Sequence, residues 1–291
     1  MTFKEKLKTD RFLATVEYGP EKGIATEPFL QMAREIGGRV DGINVTDLQS
    51  AVMRLGSLAL CIKLKEAGQE PILQMTCRDR NRLALQSDLL SAAAFGIENV
   101  LLLTGDHPVL GDDPAAKPVF DLDSIQLLET ARRLESGLDS AGNKLNEPFP
   151  RFCLGAVVNP GAEPLELQLI KLEKKVAAGA EFIQTQAVYE VERFEKFMKE
   201  AGRFGIPVMA GIVLLKSAGM AKYMNENVAG VHVPDTFIKR MADAPKEKRS
   251  AESIAIAAEL IGAMRGLCRG VHIMPIGWER HLPRVLDTAG L

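Results

Sequence analysis

Six polar residues stand at the ends of short apolar runs, where a buried segment of chain returns to the surface. In "LLLTGDHP", residues 101–108, three leucines lead directly to Thr104, Gly105 and Asp106. Other runs end in the same manner, and the residues in question are Glu17, Thr46, Asp106, Asn159, Gln186 and Lys216. Carboxylates in such a set can transfer protons, while amides and hydroxyls can orient a ligand. We expect these side chains to face a common centre.

Three further acidic residues also follow apolar runs, namely Asp47, Asp79 and Glu279. Acidic residues beside Gly and Pro are ordinary in turns, because their side chains bond to nearby backbone. We interpret these three as solvated loop residues.

The apolar runs themselves number eight, each too short for an isolated helix and mostly bounded by Gly or Pro, as buried strands are. Between them lie segments with apolar residues at three- and four-residue spacing, such as "PFLQMAREIGG" and "RLALQSDLLSAAAFG". Several of these helical segments close with a glycine where a left-handed cap is expected, at Gly37, Gly68, Gly96 and Gly179.

Strand followed by helix, repeated through the chain, predicts an α/β fold: a single (β/α)8 TIM barrel over residues 1–291. The alternative is an open doubly wound sheet, although its G-x-G-x-x-G fingerprint is absent. In a barrel the active site lies at the carboxyl ends of the strands. The long connection at 107–124 then lies on the ligand face, and the one at 135–150 on the opposite face.

Composition narrows the class of protein. The chain is 46% hydrophobic and 25% charged, with a formal net charge of −2, as expected for a soluble globular protein. This balance gives no reason to expect nucleic acid or an anionic membrane as a partner. Neither a leader nor an apolar run of about 18 residues is present, so we expect no membrane span and a cytoplasmic location.

The four cysteines, Cys61, Cys77, Cys153 and Cys268, are dispersed and form no C-x-x-C pair. We expect small core residues in a reducing compartment, and neither a metal nor an iron–sulfur cluster within this chain. Neither a G-x-S-x-G elbow nor a Walker phosphate loop occurs, which weakens hydrolase and kinase interpretations.

Taken in order, the strand-end motifs resemble those of the flavin-dependent methylenetetrahydrofolate reductases, (β/α)8 enzymes that reduce a folate-bound methylene group to methyl. The similar segments run through essentially the whole chain. They are "VEYGP", "QMTCRD", "LLLTGDHP", "KLEKKVAAGAEFIQTQ" and the "GI" at 211–212. Each motif alone is weak evidence for the family. Together, in this order and at the spacing of successive barrel strands, they make the resemblance specific.

The resemblance implies roles for individual residues. Glu17 matches the acid that protonates the departing nitrogen of the substrate, and a partly desolvated pocket can keep such a carboxyl group protonated. Asp106 matches a carboxylate near flavin and folate that stabilises the cationic iminium, and Gln186 matches a glutamine that contacts the pterin. The implied catalytic and substrate-binding residues are therefore Glu17, Asp106 and Gln186. The implied flavin-binding residues are Thr46, Gln74, Thr104, Gly105, Asp106, Phe120, Asn159 and Lys175, with Lys175 beside the phosphate.

The chain also departs from the family pattern. Gln74 and Asn159 stand where well-known bacterial enzymes have histidine, and Thr104 stands where they have arginine, which leaves FMN and FAD both open. Ala218 replaces a phenylalanine that helps to sandwich folate or nicotinamide, so direct use of NADH or NADPH is uncertain. The sequence looks closer to divergent reductases of acetogens, which receive electrons from a separate iron–sulfur subunit. We also expect an oligomer.

Two other classes of function remain open. A non-flavin pterin-binding barrel, either a methyltransferase or a lyase, would use the same strand-end carboxylates, with Lys216 as the candidate for a Schiff base. The second of these classes is a folate-binding subunit that catalyses no reaction of its own.

Overall fold

The computed structural model describes residues 1–291 and contains a closed barrel of eight parallel strands. Each strand pairs with the next in the chain, and the last pairs with the first, as in Thr15 beside His272. The (β/α)8 prediction is confirmed, and the open doubly wound sheet is excluded. The strands are β1 Leu13–Tyr18, β2 Gly42–Val45, β3 Pro71–Thr76, β4 Asn99–Leu103, β5 Cys153–Val158, β6 Phe182–Ala187, β7 Val208–Val213 and β8 Gly270–Met274.

Helices alternate with the strands, except that three of them separate β7 from β8. None of the helices combines the length and apolar character needed to cross a membrane. They are α1 Phe3–Lys6, α2 Glu27–Ile36, α3 Ser57–Glu66, α4 Arg82–Ala94, α5 Ser124–Glu135, α6 Leu165–Ala177, α7 Val191–Ala201, α8 Ala218–Asn227, α9 Asp235–Asp243, α10 Arg249–Met264 and α11 Leu282–Ala289.

The main core lies between the outer faces of the strands and the surrounding helices. On α2, for example, Phe29, Ala33 and Ile36 are buried at the spacing of one helix face. Burying a side chain of the size of Phe or Ile contributes about 1.5–3 kcal/mol, so the repeated apolar stripes hold each helix against the sheet.

A second apolar cluster closes the barrel at the amino ends of its strands. The short helix α1 places Phe3 inside this end, where its ring meets Phe182 edge-on with centroids 5.2 Å apart. Lys4 fixes the helix by donating to the carbonyl oxygen of Phe152 (2.9 Å) and pairing with Glu181 (2.8 Å). The barrel is therefore closed at the amino ends of the strands and opens at their carboxyl ends.

The predicted glycine caps are confirmed at three of four positions. Gly68, Gly96 and Gly179 adopt positive φ angles of 72°, 70° and 103°. Gly37 does not, because its φ is −56° and the next residue, Gly38, takes the left-handed conformation at 82°.

Three of the cysteines, Cys61, Cys77 and Cys153, are buried, and Cys268 is partly buried. Burial raises the pKa of the Cys77 and Cys153 thiols to about 12. Their interpretation as small core residues is confirmed.

Candidate active site

The carboxyl ends of the strands open into a cavity of about 480 Å³. Nine of the eleven residues proposed from sequence line it, while their roles in binding and catalysis stay predictions. The nine are Glu17, Thr46, Gln74, Thr104, Gly105, Asp106, Asn159, Lys175 and Gln186.

Glu17 lies deep in this cavity, with 12% of its side chain exposed. One carboxylate oxygen accepts a hydrogen bond from the Gln49 amide (3.1 Å), and the other accepts from the Gln74 amide (3.0 Å). The ring nitrogen Nε2 of His272 lies 3.5 Å from the oxygen that faces Gln74. Three side chains from three different elements therefore fix the orientation of this carboxyl group.

A layer of buried polar side chains lies beneath Glu17, inside the barrel. Asn44 and Gln184 exchange hydrogen bonds through both ends of their amides (2.8 and 3.1 Å). Gln184 also donates to the Thr15 hydroxyl (3.3 Å), and that hydroxyl lies 3.0 Å from Nδ1 of His272. Polar groups this deep are retained only when they are mutually satisfied, as these are.

The Thr15 hydroxyl links this layer to His272. It accepts from Gln184 and lies within hydrogen-bond distance of Nδ1, and because a hydroxyl can both donate and accept, the contact fits either tautomer of the ring. The other ring nitrogen, Nε2, faces Glu17. The buried layer thus fixes the position of the ring beside the carboxyl group.

Asp47 is not a solvated loop residue, contrary to the expectation from sequence. It is 6% exposed and accepts from both the backbone N–H (2.8 Å) and the hydroxyl (2.9 Å) of Thr76, and it also pairs with Arg80. The local sequence pattern could not predict these partners, because Thr76 lies on β3 and Arg80 lies in the connection that follows it. Asp47 therefore joins the loops after β2 and β3 under the cavity.

Arg78 ties together three loops at the cavity wall, although it is only 2% exposed. Its guanidinium donates to the backbone carbonyls of Leu48 (3.1 Å) and Asp106 (3.3 Å) and pairs with Asp79 (2.7 Å). Asp79 is exposed apart from this pair. The segments after β2, β3 and β4 are consequently held in one arrangement.

Asp106 and Gln186 occupy the wall with groups available to a ligand. The Asp106 backbone is anchored by Arg78, while its side chain is exposed at the cavity. The side-chain amide oxygen of Gln186 accepts from the backbone N–H of Ala187 (3.0 Å), which leaves the side-chain NH2 group to donate.

Two buried polar groups at the cavity lack a full set of partners in the chain: one is a cation without an anion, and the other is a hydroxyl without a hydrogen bond. A polar cofactor that carries a phosphate would supply both partners. The ammonium nitrogen of Lys175 donates to the carbonyl oxygen of Val157 (2.5 Å), and burial, with a smaller effect from Lys171, lowers its pKa to about 8. The buried hydroxyl of Thr46 makes no hydrogen bond. An anion beside Lys175 and a polar ligand atom beside Thr46 would satisfy them.

Two expected residues lie elsewhere, and two others are already engaged. Phe120 does not line the cavity and instead stacks near His107 (6.3 Å between centroids). Lys216 also lies outside it. The Asn159 amide donates to the carbonyl oxygen of Ala229 (2.7 Å), and the Thr104 hydroxyl accepts from the backbone of Ser124 (3.3 Å).

Sequence reasoning missed Gln49, Arg78 and the polar layer. A two-residue spacing could have revealed the layer, because Thr15, Asn44 and Gln184 each precede a proposed site residue by two positions. On a strand, that spacing puts both side chains on the same face. A wider cleft of about 670 Å³ lies between the start of α6 and the start of α7, and none of the proposed residues lines it.

Comparison with known proteins places the chain in a family. The family model for methylenetetrahydrofolate reductase matches residues 2–290. The chain belongs to the methylenetetrahydrofolate reductase family. It is 25% identical to methylenetetrahydrofolate reductase 2 of Schizosaccharomyces pombe over 242 residues, which is 75% of this chain and 35% of that protein. It is 26% identical over 287 residues to the probable methylenetetrahydrofolate reductase (NADPH) of Caenorhabditis elegans, which is 96% of this chain and 40% of that protein.

The chain therefore spans well under half the length of these two relatives. Among solved structures, it is similar to a Clostridium thermocellum protein described as binding two copies of 5-methyl-5,6,7,8-tetrahydrofolic acid. The TM-score is 0.65 at 16% identity, with 98% of this chain and 96% of that one covered. This likeness supports the barrel fold.

Proposed function

We propose that the chain reduces the methylene group of 5,10-methylenetetrahydrofolate to a methyl group with a bound flavin. The observation that carries the proposal is Glu17, a single carboxyl group held deep in the cavity by Gln49, Gln74 and His272. Family membership and the folate ligand of the Clostridium thermocellum protein both support a folate substrate.

Glu17 supplies the proton that the reaction needs. The methylene carbon bridges two nitrogens, and opening the ring to an iminium requires protonation of the nitrogen that departs. Because its neighbours fix the carboxyl group, Glu17 presents the proton from one direction. Water has limited access to the group, of which 12% is exposed.

Asp106 and Gln186 complete the substrate side of the site. The Asp106 carboxylate at the wall stabilises the positive charge of the iminium. The free NH2 group of Gln186 donates to the pterin, whose ring edge offers acceptors.

The flavin, FMN or FAD, supplies a hydride when it is bound in the reduced form. Lys175 would hold its phosphate and Thr46 a polar atom of the same molecule, because both lack a suitable partner in the chain. Three of the expected flavin-binding side chains already bond to other parts of the chain, namely Gln74, Thr104 and Asn159. These contacts do not distinguish FMN from FAD.

An absorption spectrum of freshly purified protein tests the cofactor proposal. We expect a yellow protein with a noncovalent flavin, which chromatography after denaturation identifies as FMN or FAD. Colourless protein that neither flavin reconstitutes would favour a non-flavin pterin-binding barrel.

We propose further that a partner protein with iron–sulfur centres supplies the electrons. Ala218, the first residue of α8, stands where family enzymes carry an aromatic platform for nicotinamide. The four cysteines of this chain lie apart and form no cluster site, so the proposal assigns such centres to a partner.

A further inference from the structure

The two amides that bind Glu17 reach it from different kinds of structure. Gln74 projects from β3, so the barrel itself fixes its position. Gln49 comes from the connection between β2 and α3, where nothing in a regular strand or helix dictates its direction. The conformation of that connection therefore decides whether Glu17 has its second amide partner.

This connection adopts an unfavourable backbone conformation around Gln49. Three residues without the freedom of glycine have positive φ angles, which costs free energy. They are Leu48 at 47°, Ser50 at 56° and Ala51 at 57°. Such strain persists only where surrounding contacts hold it, and it concentrates at functional positions.

The surrounding contacts are present on several sides. Arg78 donates to the carbonyl oxygen of Leu48 (3.1 Å), and Arg54 donates to that of Pro20 (2.9 Å). Gly111 of the β4–α5 connection lies so close that a Cβ there would be 1.9 Å from the carbonyl oxygen of Ala51. Three neighbouring connections thus force Gln49 towards Glu17.

Space for the Gln49 amide is provided by Gly19. A Cβ at position 19 would lie 3.1 Å from the amide oxygen of Gln49, a tight contact that the amide would relieve by shifting a few tenths of an ångström. In the position that Gly19 permits, the Gln49 NH2 group donates to a Glu17 carboxyl oxygen (3.1 Å). A donated hydrogen bond of this kind stabilises the anionic form of a carboxyl group.

We propose that Gln49 is a positioning residue for the general acid, delivered by a strained loop, and that it sets both the orientation of Glu17 and the pH range in which Glu17 donates its proton. The inference rests on the proposed function for the role of Glu17 as the acid. The contact between Gln49 and Glu17 is independent of that role.

Other charged or titratable groups also share the cavity with Glu17. They are Asp47 after β2, Arg78 after β3, Asp106 after β4, Lys171 and Lys175 on α6, and His272 on β8. None of them is altered by a substitution at position 49, so a change in pH dependence would report the loss of the amide.

Gln49→Met keeps the length of the side chain and removes its hydrogen bonds. The anionic form of Glu17 loses a donor, so the high-pH midpoint of the folate half-reaction should move upwards by about one pH unit. Its maximal rate should fall by about 10-fold as orientation is lost. Flavin reduction by dithionite should be unchanged. The control is Gln31→Met on α2, whose amide faces Glu35 at the exposed surface (3.4 Å) and which should change nothing.

Gly19→Ala provides a second variant, which crowds the Gln49 amide without altering any group on Glu17. It should move the midpoint in the same direction and by less than Gln49→Met, because the amide is shifted rather than removed. An infrared titration of flavin-free protein, with Glu17→Gln as the blank, reads the same carboxyl group without turnover. There, Gln49→Met should shift both the carboxylate band and its titration midpoint.

Unchanged infrared spectra and an unchanged rate midpoint in both variants would overturn the inference, even if their thermal stability falls. If Gln49→Met shows the infrared shift while wild-type protein reduces no folate, the proposed function is contradicted and the positioning contact stands.

Discussion

At the scale of single residues, Glu17 is the group on which the proposed chemistry depends. Glu17→Gln keeps the shape of the side chain and removes the proton that it donates. We expect the folate half-reaction to slow by about 10²-fold or more, while reduction of the flavin by an artificial donor survives. Stopped-flow measurement of the two half-reactions separates the outcomes. Equal losses in both would indicate a damaged fold rather than a missing acid.

Lys175 links folding stability to pH. The pKa of its ammonium group is lowered to about 8 by burial, from an ordinary 10.5 in the unfolded chain. Below pH 8 both states carry the proton and the folded state bears the full cost of burying it. Between pH 8 and 10.5 only the folded state loses the proton, so stability rises with pH across that window.

Lys175→Met removes this cost. At pH 7 we expect the flavin-free variant to be more stable than wild type by about 1–3 kcal/mol, and the rise in stability above pH 8 to shrink. Urea unfolding at pH 7 and pH 9.5 measures both effects. Flavin affinity should fall, since the phosphate loses its cation. A variant that binds flavin as tightly as wild type would remove Lys175 from the cofactor site.

Residues at strand ends could be predicted from the sequence, while residues placed by loops could not. Glu17 and Gln186 close apolar runs, and strand geometry then fixes where they point. Gln49 depends on three left-handed residues that no turn pattern signals. Asp47 was misplaced for the same reason, because its partner Arg80 comes from another connection. Phe120 lies outside the cavity lining, near His107 of its own connection, which the sequence pattern did not indicate.

At the scale of elements, the strand–helix alternation was predictable because its periodicity is strong, whereas the role of α1 was not. Helix α1 has only four residues, too few to show a hydrophobic periodicity from which the burial of Phe3 in the barrel could be predicted. Helices α8 and α9 likewise add to the simple repeat between β7 and β8. Both are short, at 10 and 9 residues, and neither precedes a strand directly.

The seal formed by α1 should affect stability and leave catalysis intact. Phe3 is fully buried, so Phe3→Ala should lower the free energy of unfolding by about 3–5 kcal/mol. The substitution lies at the opposite end of the barrel from Glu17, and at a temperature where the variant is folded both half-reactions should keep their rates. Chemical denaturation and stopped-flow kinetics test the two parts. A selective loss of the folate half-reaction would show that the two ends are coupled.

At the scale of the whole molecule, the two candidate sources of electrons are a nicotinamide nucleotide and an iron–sulfur partner protein. The family resemblance sets Ala218 in place of an aromatic platform for nicotinamide, and we therefore expect the isolated chain to oxidise NADH or NADPH slowly. Anaerobic stopped-flow mixing with either nucleotide, followed by flavin bleaching, measures this directly. Bleaching at a rate that supports turnover would contradict the need for an iron–sulfur partner.

The most direct test of the account is oxidation of the reduced protein by its proposed substrate. Flavin-loaded protein, reduced with dithionite under anaerobic conditions and freed of excess reductant, is mixed with 5,10-methylenetetrahydrofolate while the flavin absorbance is followed. The account predicts that the oxidised flavin spectrum returns and that one equivalent of 5-methyltetrahydrofolate forms per flavin. A flavin that stays reduced in the presence of bound folate would contradict it, and would indicate a folate-binding subunit without turnover.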